Sequence, residues 1–568
     1  MAFENEHPVN KLIRSNTCTA RRILFEGPTK MYCVCKFKLN FWKKKNVPYL
    51  KPVPILGNYG EYILLKKYVG KVVQDLCKQL PDAPCFGAFY GTEPVLIVQD
   101  PELIKLVMTK DFYYFSGREI SKYTDHEVFT RNIFFSGGDR WKVTRQNLTP
   151  LFSSAKMKNM FYLIENCAHI YETMLDKYME ESNVFEAKGM VSRFAISGIC
   201  SCAFGIDTQT MEKPNNNTFM KIANSIFEST MYRGFKNIVR AIWPAIFYGL
   251  GFKSFPVPVD KFFTDLLIVI FEGRGYKPSS RNDFVDLILS FKEKKYITGD
   301  SLSNMRTGDN KKVNIVVDNE LLVAQCITFF GAGFDTTATT LSFTLYELAK
   351  NQNAQKKAQE EIENFLEKHN NKITYDSLKE LSYLQACIHE AMRMYPVLGV
   401  LAREVVDAYT FPSGLQLEKG MRVHVPVYAL HHDPAHFPEP EQFRPERFLP
   451  ENKLNIKPYT YMPFGEGPRY CIGARFAKMQ MLPGLVTILK KYRVELAPGM
   501  SSDLVLESRT LITQPIGGIH LKAVVYILTS PSSQGTPVRP MDRQIETRTS
   551  DGKRRITPVF IPLTQADV

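Results

Sequence analysis

The sequence is poor in the devices that clamp small secreted or metal-built domains. Its eleven cysteines are an odd number with no CxxC pair and no regular framework, which argues against a disulfide scaffold or zinc ribbon and points to a reducing, cytosol-facing environment. The first forty residues hold no apolar run near the ~20 residues needed to cross a bilayer. Glu4, Glu6, Arg14, Arg21, Arg22 and Glu26 interrupt every candidate, so neither an anchor nor a signal peptide is read there. Zinc-finger spacing and basic repeats are missing too, which leaves nucleic acid unsupported as the partner of a net charge of +14. An acidic protein surface or anionic lipid suits that charge better.

What is present is a chain of 568 residues, 44% hydrophobic, ample for a large core. It is organised around Phe464-Gly465-Glu466-Gly467-Pro468-Arg469-Tyr470-Cys471-Ile472-Gly473. Gly465 and Gly467 permit positive φ, so the chain can turn tightly and aim amide N–H groups at a sulfur. The run from Ala474 to Gln480 reads as helix and puts the thiol at a helix N-terminus, which favours the thiolate. A thiolate is the axial iron ligand that pushes electron density toward bound oxygen. The plainer reading of a lone cysteine in a Gly-rich turn is a buried structural thiol.

The spacing Phe-x-x-Gly-x-Arg-x-Cys-x-Gly resembles the signature of the cytochrome P450 family, with Phe464, Gly467, Arg469, Cys471 and Gly473 in register. The resemblance implies haem b (heme, iron protoporphyrin IX) ligated by Cys471, with Phe464 packed near the sulfur and Arg469 reaching a haem propionate. Trp141-Lys142-Val143-Thr144-Arg145 places an indole and a guanidinium on one helical face. In the resembled family that pair donates to a propionate, and Arg403 stands where another propionate ligand is expected.

Asn319 to Lys350 reads as the longest helix, N-capped by Asp318 and ~48 Å long. Its middle, Ala332-Gly333-Phe334-Asp335-Thr336-Thr337, sets an acid and hydroxyls in an apolar run. A Thr336 hydroxyl bonded to the Ala332 carbonyl would open a small polar groove. The resemblance implies that Asp335 and Thr336 deliver the protons needed for O–O cleavage. Glu390 and Arg393 lie at i and i+3 of a helix, and the resemblance makes them a buried structural ion pair joined by Arg447. Pro483-Gly484 is expected to kink the helix beyond the cysteine.

Other stretches read from pattern. Residues 85–110 give a small β-region, residues 157–300 successive amphipathic helices, and Phe112 to Phe115 with Phe129, Phe134 and Phe135 a lid over an apolar pocket. Ala241 to Phe252 is apolar and broken by Pro and Gly, suited to dipping into a lipid interface or to a buried connection. The expected fold is mainly α with a small β-rich lobe, a single large haem-binding domain over residues 41–526. Residues 1–40 form an atypical N-terminal segment and residues 527–568 a disordered extension.

The wording of the motifs is most similar to insect microsomal members. They imply an oxidoreductase that inserts one oxygen atom into a lipophilic small molecule in xenobiotic metabolism at the cytoplasmic face of the endoplasmic reticulum membrane. No Gly-rich dinucleotide-binding unit is present, so electrons would come from NADPH-cytochrome P450 reductase, with cytochrome b5 as a second donor. Lys142, Arg475 and Lys478 are candidates for docking it. Rival readings are a hydroxylase of hormones or fatty acids, a reductase-independent peroxide isomerase or dehydratase, and a non-enzymatic haem-binding protein. Asp335 and Thr336 argue against the last two.

Overall fold

The computed structural model describes residues 39–526, apart from 119, 121, 214–216 and 280–282. The expectations for the N-terminal segment before residue 39 and for residues 527–568 lie outside the described residues. Strands β1 (Cys85–Tyr90) and β2 (Glu93–Val98) form a hairpin turned at Gly91, whose φ of +63° suits glycine. The helices that matter for the site follow. They are α1 (Gly138–Leu148), α2 (Ser154–Glu181), α3 (Ala187–Ile199) and α4 (Met231–Ile242).

A second hairpin, β3 (Tyr296–Asp300) with β4 (Lys312–Val316), precedes α5 (Asn319–Lys350) and α6 (Ser382–Met394). Strands β5 (Leu401–Glu404) and β6 (Arg422–Val425) complete a four-stranded sheet with the first hairpin, in which β2 runs parallel to β6. Helix α7 (Ala474–Leu489) follows the cysteine loop. A large helical body with a small sheet is what the sequence led us to expect.

Helix α5 begins where its cap dictates, since the Asp318 carboxylate accepts the Leu321 N–H at 2.7 Å. Most of its length is buried, which explains an apolar run unbroken by a solvent face. Among the described residues it is the one helix long and apolar enough to cross a membrane, and it is the core helix of the fold. Helix α3 packs across it at Gly333, where a Cβ would come within 2.8 Å of Ile199. The mid-helix glycine therefore trades propensity for close approach of two helices.

One expectation is corrected. Residues 157–300 are not helical throughout, because Val184–Glu186 and β3 are strands. β3 buries only Ile297 fully, and its hydrogen bonds come from β4 farther along the chain, so the local pattern carries little sign of it. Pro483 does not end α7, which runs on to Leu489 as one helix. Gly484 next to it allows the Phe194 ring of α3 to approach, with 2.9 Å left for a Cβ, and packing on both sides holds the turn.

Gly333→Val should therefore destabilise the protein by about 1–3 kcal/mol through overpacking. Denaturant unfolding checks this, and a loss below that range would mean that Ile199 yields without cost.

Candidate active site

The cysteine loop is built by its glycines. Gly465 and Gly467 have φ of +73° and +70°, and a Cβ on Gly467 would sit 1.8 Å from the Met108 carbonyl oxygen, so no other residue fits there. The Cys471 N–H donates to the Phe464 carbonyl at 2.9 Å and closes the turn. Gly473 is the N-cap residue of α7, and its N–H donates to Cys471. Burial pushes the thiol pKa up, while that N–H and the Arg145 guanidinium pull it back. Cys471 as a residue is nevertheless exposed.

A line of hydrogen bonds ties this loop to the core. Arg393 grips both oxygens of Glu390 through Nε and Nη2, at 2.8 and 2.9 Å, with both side chains fully buried. Arg447 Nε adds a contact to Glu390 at 3.3 Å, and the Arg444 N–H donates to the same oxygen at 2.9 Å. Arg393 Nη1 donates to the His431 carbonyl. Burial keeps the His431 imidazole neutral, so its Nε2 accepts the Met462 N–H at 3.0 Å. The Met462 carbonyl then accepts the Gly465 N–H, two residues before the second glycine of the loop.

Four guanidiniums converge beside the loop. Arg469 is held well below the usual arginine range, first by burial and then by its neighbours Arg118, Arg403 and Arg145, with no carboxylate among the charges acting on it. Three of its five N–H groups donate to the carbonyls of Ser116, Phe134 and Ser136, and its central carbon lies 4.5 Å from the centre of the buried Trp141 ring. Arg145 is shifted down by burial, with only Cys471 acting in the opposite sense. Arg403 is buried on β5 and donates to the Ala402 carbonyl.

Such a like-charged cluster needs anions. Haem b brings two carboxylates, so the residues fit that group. A side chain at Gly473 would meet no protein atom, which also leaves room beside the sulfur. Arg118 was missed in the sequence because a lone arginine in an aromatic segment has no periodic partner.

On α5 the Thr336 hydroxyl donates to the Ala332 carbonyl at 2.7 Å. Asp335 is 3% exposed, and its Oδ1 lies 2.7 Å from Lys188 Nζ at the start of α3. Its Oδ2 is buried without a partner. Ala332, Asp335 and Thr336 reach the wall of a cavity of about 330 Å³, which Phe129, Phe134 and Phe135 also line. The 397–400 segment contributes to the same wall, whereas Phe112 and Phe115 are packed into the core. Nothing in the local sequence around Lys188 announced its pairing with an acid on a distant helix. Of the docking candidates, Arg475 is exposed while Lys142 and Lys478 are half-buried.

The family model described as Cytochrome P450 matches residues 47–523. The chain is 33% identical over 500 residues to Cytochrome P450 6j1 of Blattella germanica, covering 88% of this chain and 96% of that protein. It is 34% identical to Cytochrome P450 6B2 of Helicoverpa armigera, covering 85% and 94%, and 35% identical to Cytochrome P450 9e2 of Blattella germanica, covering 82% and 90%. A HIRA B motif model also matches residues 543–565, outside the described residues.

Two measurements probe the scaffold of the site. Arg393→Ala leaves Glu390 buried and unpaired and should cost about 3–5 kcal/mol in denaturant unfolding. Burial pushes His389 and His432 down to about 3 and His431 down as well. All three stay neutral in the folded state, while the unfolded chain protonates them below about 6.5. Stability is thus complete above that pH and falls as pH drops, approaching about 4 kcal/mol per pH unit when all three contribute. Unfolding midpoints between about pH 6.5 and 5 measure this, and His432→Gln should remove about one proton from the uptake.

Proposed function

The chain belongs to the cytochrome P450 family, and from that premise we propose that it oxidises lipophilic foreign compounds with a haem b that the Cys471 sulfur would hold. The observation that carries this reading is the polar break in α5: Asp335 and Thr336 bring an acid and a hydroxyl to the wall of a cavity otherwise dominated by apolar and aromatic side chains. When bound, the haem supplies the activation of dioxygen. The overall reaction takes substrate, O₂, two electrons and two protons to one alcohol and one water.

The side chains divide the remaining work. The Gly473 N–H and Arg145 favour the anionic sulfur, and Phe464 lies at the other end of its turn. Trp141, Arg145 and Arg403 offer donors to the two carboxylates, while Arg469 adds charge and braces the Phe134 to Ser136 backbone. The Thr336 hydroxyl holds its proton at the Ala332 carbonyl. Letting go of that bond frees it to donate into the cavity, and Asp335, once it has parted from Lys188 and taken a proton from solvent, can pass that proton to the Thr336 oxygen.

Electrons come from NADPH through a separate flavoprotein reductase, with cytochrome b5 as an auxiliary donor. Exposed Arg475, with Lys142 and Lys478, suits an acidic partner surface. The protein works at the cytoplasmic face of the endoplasmic reticulum membrane. Ile246, Leu250 and Phe252 are 55%, 68% and 43% exposed within and just beyond Pro244–Gly249, an apolar surface that suits a lipid interface.

Reconstitution with reductase, NADPH and isotopically labelled O₂ tests the reading: one labelled oxygen should enter an apolar substrate. Product formed equally well from a hydroperoxide without NADPH would overturn it. Asp335→Asn should slow turnover about 10²-fold. Thr336→Ala should keep NADPH consumption but yield about tenfold less product per NADPH. Leu250→Glu combined with Ile246→Glu should weaken binding to anionic lipid vesicles about tenfold or more, read by flotation.

A further inference from the structure

Helix α4 presents three different faces. Gly234, Ile238 and Ile242 are buried, and the two isoleucines pack into the core of the small lobe. Met231, Tyr232 and Phe235 are 60%, 64% and 57% exposed. The third face carries Arg233, Asn237 and Arg240 and lines the same cavity as Asp335 and Thr336. A cavity meant only for hydrocarbon has no use for a polar wall, because each such group loses water without a partner.

Arg233 has a local explanation. Its guanidinium donates to the Ser225 and Ile226 carbonyls at the end of Thr218–Phe227, satisfying carbonyls that a helix end leaves open. Arg240 is different. It is 9% exposed, its Nη1 donates to Ser254 Oγ at 3.0 Å, and its Nε is buried with no partner.

The nearest acid in this network is Glu127, one hydroxyl away. Its oxygens are taken by the Ser254 N–H, the Ser254 hydroxyl and the Phe255 N–H. Among the described residues no carboxylate lies within ion-pair distance of Arg240. The Phe135 ring lies 5.4 Å from its guanidinium carbon, a contact that suits a cation and supplies no acceptor.

We propose that Arg240, with Asn237 one turn away, anchors a carboxylate on the substrate, so that the substrate class is carboxylate-bearing lipophiles. This rests on the monooxygenase reading above and sharpens it. The cavity reaches from α4 to the Asp335 and Thr336 segment of α5, so an acid held at one end offers carbons remote from its head group to the other. A charge-assisted hydrogen bond also explains why a guanidinium, always charged, stands in the wall of a cavity lined elsewhere by many aromatic and aliphatic side chains.

The test is calorimetric titration of the holoprotein with dodecanoic acid and with methyl dodecanoate, at a pH where the acid is ionised. The wild type should bind the acid about tenfold or more tightly than the ester. Arg240→Met should bring the two within about twofold, and Arg240→Lys should restore part of the preference. Equal binding of acid and ester by the wild type, or a preference retained in Arg240→Met, would overturn the proposal. The carbon monoxide difference spectrum of each variant separates this outcome from failure of the haem-thiolate reading, and far-ultraviolet circular dichroism shows that each variant is folded.

Discussion

Like charges in a protein interior repel one another and lose their water, so a cluster of them persists only if counter-charges join it. That constraint governs the neighbourhood of Arg469. Four separate parts of the chain bring their guanidiniums there: Arg118 from the aromatic segment, Arg145 from α1, Arg403 from β5 and Arg469 from the cysteine loop. Since no carboxylate acts on Arg469, the carboxylates of a bound haem are the natural complement.

The second organising feature is how a buried ion pair sets the position of a sulfur in a separate loop. Glu390 and Arg393 cannot move independently, because each satisfies the other inside a packed core. From Arg393 the constraint runs through neutral His431 to the Met462 amide and on to Gly465. An imidazolium could not accept the Met462 N–H. The same burial that stabilises this link in the neutral state makes the scaffold sensitive to acid. Positive φ at two glycines then finishes the turn that puts Cys471 just before α7.

Much of this could be read in the chain before any coordinates. The bounds of α5 follow from the Asp318 cap and a long apolar run, and the cysteine loop announces itself through glycine spacing. Other features are invisible to local pattern because their cause is distant. β3 is a strand because β4 pairs with it, α7 survives Pro483 because neighbouring elements enclose it, and Gly333 is explained by Ile199 of another helix. Lys188 and Arg240 belong to the same class. Each looks like an ordinary charged residue of an amphipathic helix until the fold sets it against α5 or the cavity.

The central claim is that the sulfur of Cys471 holds the iron of a haem. The most direct measurement is the carbon monoxide difference spectrum of the reduced, purified protein, taken beside the Cys471→Ala variant. The account predicts the strongly red-shifted absorption of a thiolate-ligated haem in the first and its loss in the second. A protein that purifies without porphyrin, or whose iron is held by imidazole or water while Cys471 reacts freely with an alkylating agent, would contradict it.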